Sequence, residues 1–351
     1  MSDNVSDEEQ QQQMGEISIC EDVWLEVFAL VSPFELGHLM ALISDRFDRL
    51  VDEHFKLRKW SLSWLDIRRA TDGNGAEIVK KSSGEVLPIP QGPLPNKVTG
   101  FQEIQISYVD QNVIEFLQRI RRLFDTSGTT MVITTSEIQS RSWEIIRQKI
   151  WTFVNGNIYC LGLVPDRLDQ LRQLSPAILC NCANLRALFC YGLFPELPAD
   201  DNAGASSAQA VSKWLLTARE DGLPKVLCCA VYSGGMEGLK RAFVNASGPV
   251  NFIVIIWKAR NDPLVPFELE NNWTTERLTL RLDGDWVLVR CPIVREEAKW
   301  AKWEEEAIQS QLIESPRQWN GITIDFKDED IGDGKVKAKA SCCRSFEQAL
   351  K

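Results

Sequence analysis

Strand-like runs that alternate with helical patterns at a nearly constant interval constrain the fold of this chain most. Between residues 103 and 257, each β-branched or apolar run is followed by helix-like periodicity. The runs are Glu103–Val109, Thr130–Thr134, Asn157–Val164, Leu185–Cys190, Lys225–Val231 and Asn251–Trp257. Their centres, at residues 106, 132, 159, 188, 227 and 253, lie 26, 27, 29, 39 and 26 residues apart. A βα unit of this period predicts a largely parallel sheet.

Two architectures would give this alternation. An irregular βα solenoid, similar to leucine-rich repeats, is predicted for residues 99–315, and an open doubly wound sheet is the alternative. Leu179–Leu188 matches a leucine-rich repeat best, with a helix end, a polar turn and a Leu-x-x-Leu entry into a strand. The small, polar residues 199–207 read as an inserted surface loop, which accounts for the one long interval.

The segments on either side of the repeats have their own patterns. The Asp-Gly and Asn-Gly turn at Thr71–Gly75 predicts a hairpin, and the prolines of Leu87–Pro95 predict a stiff linker, so residues 59–98 form a hairpin-linker region. Residues 276–290 predict a second hairpin, followed by a helix from Glu296 to Gln311. This hairpin and helix are expected to cap the repeat array, with residues 316–351 as a C-terminal extension.

Charge is concentrated near the N-terminus. The 351 residues include 49 acidic and 39 basic side chains, a net charge of −10, and the first 26 residues hold eight acids and no Lys or Arg. This balance argues against a general binder of nucleic acid or anionic membranes. Residues 1–15 are polar and aperiodic, which predicts a disordered acidic tail.

Residues 16–58 predict three short helices. Val23, Val27, Leu30 and Val31 recur at helical spacing, and Trp24 with Phe28 widens the apolar stripe. Ser32-Pro33 ends the first helix and starts a second, and a third is predicted from about Ala41 to Phe55. So many large apolar side chains in so small a unit indicate a docking surface.

The order of these residues resembles the F-box family. The matching segments are Ile19–Phe28, Ser32–Leu36 and Leu42–Phe47, with Cys20 and Ser44 where the family usually has Pro and Cys. The resemblance covers roughly 40–45 residues and implies a three-helix F-box that binds a Skp-family adaptor and, through it, a cullin. The residues expected to form the adaptor surface, or the helix core beneath it, are Ile19, Cys20, Val23, Trp24, Val27, Phe28, Pro33, Leu36, Leu42, Ile43 and Phe47.

The resemblance therefore implies a mixed α/β substrate-recognition subunit of a cullin-type ubiquitin ligase, with the βα domain capturing a protein substrate. The chain itself would make no bond. A ligase-independent scaffold is the main alternative. A nucleotide-binding protein that uses the loop Gly234–Gly238 is a second alternative, because a strand, a glycine loop and a helix follow one another there.

Catalytic and metal-binding patterns are missing from the sequence. The familiar hydrolase, metalloprotease and P-loop motifs do not occur, and His38 and His54 are the only histidines. The ten cysteines include adjacent pairs without partner ligands, so we expect buried, reduced thiols, no metal and no cofactor. No leader or membrane span is predicted, which favours the cytoplasm or the nucleus.

Overall fold

The computed structural model describes residues 19–28, 30–31, 36, 43–57, 60–94, 98–124, 128–230, 235–257, 264–309 and 320–332. These residues belong to two compact units, one up to residue 57 and the other from residue 60 onward. The predicted acidic tail, residues 1–15, lies outside the described residues.

Two helices pack together in the N-terminal unit. They are α1 (Glu21–Phe28) and α2 (Asp45–Leu57), and each carries acidic residues in its first turn, where the partial positive charge of a helix N-terminus is stabilised. The rings of Trp24 and Phe47 pack edge to face at a centroid distance of 4.7 Å. The side chains that form the core are Phe28, Leu36, Leu50 and Val51, with Trp24, Leu25, Val31 and Phe47 packed against them.

One thirteen-stranded sheet organises the larger unit. Its spatial order is β10-β11-β12-β9-β8-β7-β6-β5-β13-β4-β1-β2-β3. The strands are β1 (Trp60–Arg69), β2 (Ala76–Lys80), β3 (Val86–Pro88), β4 (Val98–Ile106), β5 (Thr129–Ile133), β6 (Ile158–Leu163), β7 (Ala187–Cys190), β8 (Lys225–Ala230), β9 (Phe252–Trp257), β10 (Phe267–Asn271), β11 (Glu276–Asp283), β12 (Asp285–Pro292) and β13 (Gly321–Ile324).

The sheet is mostly parallel, and its central strands follow chain order. Strands β1, β4, β13 and β5 to β9 pair in parallel, whereas β2 and β3 at one end and β10 to β12 at the other are antiparallel. A doubly wound sheet has a point where the strand order reverses. From β5 to β9 the order does not reverse, so successive right-handed crossovers place their helices on one face of the sheet.

Short helices connect the parallel strands. A π-helical turn, Ile146–Ile150, joins the helix that ends at Ile145 to the helix that begins at Trp151, and a 3₁₀ turn at Asp328–Asp330 follows β13. The α-helices are α3 (Gln111–Arg119), α4 (Arg121–Phe124), α5 (Ser140–Ile145), α6 (Trp151–Val154), α7 (Pro165–Arg172), α8 (Ile178–Asn181), α9 (Ser207–Leu215), α10 (Gly235–Val244) and α11 (Glu297–Gln309).

Strand β13 lies inside the sheet, although the sequence analysis assigned its residues to a C-terminal extension. It pairs with β4 on one side and β5 on the other. Asn320, with a positive φ of 61°, leads the chain into this slot, and its side-chain oxygen accepts a hydrogen bond from Phe101 N at 3.0 Å. Residues 321–324 are therefore part of the central sheet.

The proline-rich segment also packs against the larger unit. Ile89 and Leu94 are buried, and Arg119 donates to the Pro90 carbonyl at 2.7 Å. Arg122 donates to the Val98 carbonyl at 3.0 Å. Arg119 therefore holds the proline-rich segment in place, and Arg122 holds the start of β4.

Helix α11 covers part of the face opposite the connecting helices. Trp300 and Ala307 join a buried cluster with side chains of β6 to β9 and β12. Glu304 accepts hydrogen bonds from Arg281 and from Arg295, the latter at 2.9 Å. The C-terminal helix therefore packs over one half of the sheet instead of beyond its end.

The buried thiols make a pH-dependent prediction. Burial raises the pKa of Cys182, Cys190 and Cys228 to about 12 from the usual value near 9. Above pH 9 the unfolded chain binds fewer protons than the folded chain, so the free energy of unfolding falls, by up to about 1.4 kcal/mol per pH unit for each thiol. Burial lowers the pKa of Lys225 to about 8 from its usual value of 10.5. Between these two pH values the unfolded chain binds more protons at this amine than the folded chain, so Lys225 makes the free energy of unfolding rise with pH.

Above pH 9 the effect of the three thiols on the free energy of unfolding exceeds that of Lys225. Urea unfolding under reducing conditions at pH 7.5, 9.5 and 11 measures how this free energy falls with pH. For Cys228→Ala we expect a smaller fall, by the contribution of about one titrating thiol. Equal slopes for Cys228→Ala and the wild type would contradict this assignment.

Candidate docking surfaces

Helix α1 is apolar on two adjoining sides. Trp24 and Phe28, four residues apart, face the core, and Phe28 has no exposed surface. Val23 and Val27 lie about 100° around the helix from them, and Ile19, which precedes the helix, continues the same spacing. Ile19, Val23 and Val27 have 38%, 48% and 39% of their surfaces exposed, which leaves a line of apolar side chains in contact with solvent.

Two further exposed apolar side chains lie near the helix ends along the chain. Leu30 follows α1 and Ile43 precedes α2, with 89% and 60% of their surfaces exposed. The Arg46 guanidinium donates to the Ile19 carbonyl at 2.9 Å, which ties the start of the line to α2. We call Ile19, Val23, Val27, Leu30 and Ile43 the outer stripe.

The structure separates the predicted adaptor residues into surface and core. Phe28 and Leu36 are buried, so they support the helices and do not belong to a contact surface. Trp24 and Phe47 are half-buried between the two helices. Ile19, Cys20, Val23, Val27 and Ile43 are exposed. Pro33 and Leu42 lie outside the described residues.

A second surface lies on the sheet face that carries α11. In-register residues form continuous rows across this face, which we call the open face. One row consists of Asp66, Gln105, Thr323, Val132, Gly162, Phe189, Cys228, Ile255, Val287 and Arg281. The neighbouring row consists of Trp64, Glu103, Gly321, Thr130, Cys160, Ala187, Val226, Ile253, Val289 and Thr279.

The open face changes character along these rows. Cys228, Ile255 and Val287 are buried in the cluster with α11. The other end, on β1, β4, β13 and β5, is polar and accessible: Thr323 donates to the Glu103 carboxylate at 2.8 Å, and Trp64 is exposed. The uncovered half therefore combines hydrogen-bonding groups with an exposed tryptophan, a composition typical of interfaces.

A small pocket marks the boundary between the two halves. Gly162 contributes no side chain to its row, and the gap lies between Val132 and Phe189. The cavity has a volume of about 170 Å³. Its lining also includes Thr134, Cys160, Arg167 and Tyr191.

The glycine loop predicted as an alternative nucleotide site has apolar surroundings. A groove of about 1040 Å³ borders α10, lined by Phe194, Leu197, Gly238 and Arg241 among others. A Cβ added at Gly235 would overlap the Phe194 ring, so this ring packs directly against the first residue of α10. Gly234 itself lies outside the described residues.

Within the described residues, no cluster of three or more His, Cys, Asp or Glu side chains is placed to hold a metal ion. None of the helices in that part of the chain has the length and apolar character needed to cross a bilayer. No protein-family model, curated protein or solved structure matches the chain.

Proposed function

We propose that this protein is a substrate-recruiting subunit of a cullin-type ubiquitin ligase, bound to a Skp-family adaptor through an F-box at residues 16–58. The observation that carries the proposal is the outer stripe on α1. A helix that already uses Trp24 and Phe28 for its own core gains nothing in isolation from a second apolar side. A partner that covers Val23 and Val27 would remove this apolar surface from water.

The size and composition of the outer stripe suit a protein partner. Its five members are aliphatic, and acidic side chains on α1, Glu21, Asp22 and Glu26, lie beside it. An apolar centre with charged neighbours is the usual arrangement of a protein interface. The order of these residues along the chain, which resembles the F-box, identifies the adaptor as the partner we favour.

The larger unit would then present the substrate. Its strand order supports an irregular, leucine-rich-repeat-like βα solenoid, because consecutive strands from β5 to β9 are neighbours. The hairpin β11–β12 would close the C-terminal end of the array, and helix α11 would cover one half of the open face. The uncovered half of the open face would hold the target protein.

The mechanism is proximity. The adaptor and cullin would hold a ubiquitin-charged enzyme, and the open face would hold the substrate near it, which raises the effective concentration of the two reactants. The chain supplies binding and orientation and no reacting group. A ligase-independent scaffold would use the same open face without a cullin, so adaptor binding separates the two proposals.

Titration calorimetry with a purified Skp-family adaptor tests the proposal. We expect wild type to bind with a dissociation constant at or below micromolar, and Ile43→Asp to bind at least tenfold more weakly, because a carboxylate would be desolvated against an apolar partner. The matched control is Val244→Asp, which places the same charge at an exposed valine of the larger unit. No binding by wild type at 100 µM, or equal binding by Ile43→Asp, would reject the F-box assignment.

A further inference from the structure

The pocket beside Gly162 lies where the accessible half of the open face meets the half under α11. In its row, Thr323, Val132, Gly162 and Phe189 occupy adjacent strands. Each of the other three residues carries a side chain, so Gly162, which has none, leaves a depression one residue wide. Val132 is half-buried and Phe189 is buried, and they give the depression apolar sides.

The volume of the pocket limits its occupant. Ligand sites for small molecules usually measure about 300–1000 Å³. At about 170 Å³, this pocket resembles apolar cavities of about 150 Å³ that bind benzene. It is large enough for one aliphatic side chain and too small for a nucleotide or a typical cofactor.

A positive charge lies at the pocket. Arg167 stands in the first turn of α7, where its Nε donates to the Thr135 carbonyl at 3.0 Å. Among the described residues, Arg167 makes no ion pair and this is its one side-chain hydrogen bond, so both terminal nitrogens can bind an incoming group. A guanidinium is permanently charged and matches the two oxygens of a carboxylate.

Tyr191 forms another wall of the pocket. Its ring lies 4.7 Å from the ring of Trp257, which is exposed beside the pocket. Burial raises the pKa of Tyr191 above its usual range, so its hydroxyl remains protonated and can donate a hydrogen bond. Aromatic side chains and an arginine around an apolar pocket are the residue types that most often dominate protein interfaces.

We propose that this pocket holds a single aliphatic side chain of a protein partner, and that Arg167 pairs with an acidic side chain one or two residues away from it. The volume of the pocket fits one aliphatic side chain, and the terminal nitrogens of Arg167 favour a carboxylate beside it. The inference rests on the proposed function for its choice of the open face as the partner surface. It adds the chemistry of the segment that is recognised.

Selection from a phage library of random dodecapeptides on the immobilised full-length chain tests the inference. We expect enriched peptides to carry Leu, Ile or Met with Asp or Glu within two positions. One enriched peptide, and its variant with the acid changed to the amide, are then titrated by fluorescence anisotropy against wild type and Arg167→Gln. The amide peptide should bind wild type about tenfold more weakly, whereas Arg167→Gln should bind both peptides equally.

Two variants fill the pocket. Gly162→Leu adds a side chain into the gap, although a Cβ there approaches Val132 Cγ2 at 3.3 Å. Val132→Leu fills the same space from a half-buried position and is the second choice if Gly162→Leu does not fold. Either should weaken peptide binding at least tenfold, while Val244→Leu, at an exposed site elsewhere, should not.

The outcomes separate this inference from the ligase proposal. Enrichment of peptides without the aliphatic-acidic pair, no enrichment at all, or full binding by a folded pocket-filled variant would overturn the inference. If the losses of binding free energy caused by Arg167→Gln and by the amide peptide add up when the two changes are combined, the predicted ion pair is wrong. Adaptor binding depends on the outer stripe alone, so its failure with intact peptide selection would overturn only the F-box assignment.

Discussion

Changing Val23 to Glu together with Val27 to Lys is expected to weaken adaptor binding at least a hundredfold and to leave the N-terminal unit folded. Each valine already has more than half of its surface buried, so the complex would add less than about 1 kcal/mol of apolar burial at each, and the new charges would also have to be desolvated. A hundredfold loss corresponds to about 2.7 kcal/mol, and the desolvation of the two charges supplies the part that the lost burial does not. Titration calorimetry against the adaptor measures the change.

The substitutions are chosen to preserve helix α1. Glu and Lys have higher helix propensity than Val, and a Glu four residues before a Lys forms a stabilising pair. The acid would also lie in the first turn and the base in the last, where each suits the helix dipole. Circular dichroism should therefore show no loss of helix, so a loss of binding would report on contact and not on unfolding.

Phe28→Ala provides the contrasting variant. Phe28 is fully buried against Leu36, Leu50 and Val51, so its truncation should destabilise the N-terminal unit by about 3–5 kcal/mol. Binding should fall together with helix content. If the charged double variant keeps wild-type affinity, or if Phe28→Ala binds normally while folded, the division between outer stripe and core is wrong.

The sequence could predict that α1 is helical and apolar, but not which side of it is buried. Val23, Val27, Trp24 and Phe28 all follow helical spacing, and together they form one broad apolar stripe with no gap between its two halves. Burial is decided by Phe47, Leu50 and Val51, which come from a helix about 20 residues later. That tertiary choice has no signature within α1.

The six strands of the βα repeats could be predicted because each is an apolar or β-branched run of strand length with a helical pattern nearby. Strand β13 could be recognised only as a weak strand: it has four residues, and no repeat unit precedes it at the expected interval. Its place between β4 and β5 is set by long-range pairing, which local periodicity does not encode.

The pocket could not be predicted for a related reason. Gly162 lies in an apolar strand that has no unusual local pattern. A missing side chain creates a cavity only when the neighbouring strands place larger residues in register with it, here Val132 and Phe189. Arg167 reaches the pocket because α7 begins directly after β6 and turns its first residues over the end of the sheet.

Replacing Arg290 by Met is expected to destabilise the larger unit by about 3–5 kcal/mol, because it leaves the Glu276 carboxylate buried without its counterion. Both side chains are at most 3% exposed, and their closest nitrogen and oxygen atoms are 2.6 Å apart. Arg290 also donates to the Gly248 carbonyl at 3.0 Å, and Glu276 accepts from Val250 N at 2.8 Å. Urea unfolding at pH 7.5 measures the effect.

Glu276→Gln is the matched single variant, because the amide oxygen can still accept from Val250 N while the charge is removed. Glu276→Gln should lower the free energy of unfolding by about as much as Arg290→Met, since it leaves the guanidinium of Arg290 buried and unpaired. Combining the two substitutions removes both charges, so the double variant should be more stable than the sum of the single effects predicts, by at least about 2 kcal/mol. Additive losses would mean that the two groups act independently. The pair would then contribute through its separate backbone hydrogen bonds, which join β11 and β12 to the loop before β9, and not through its charges.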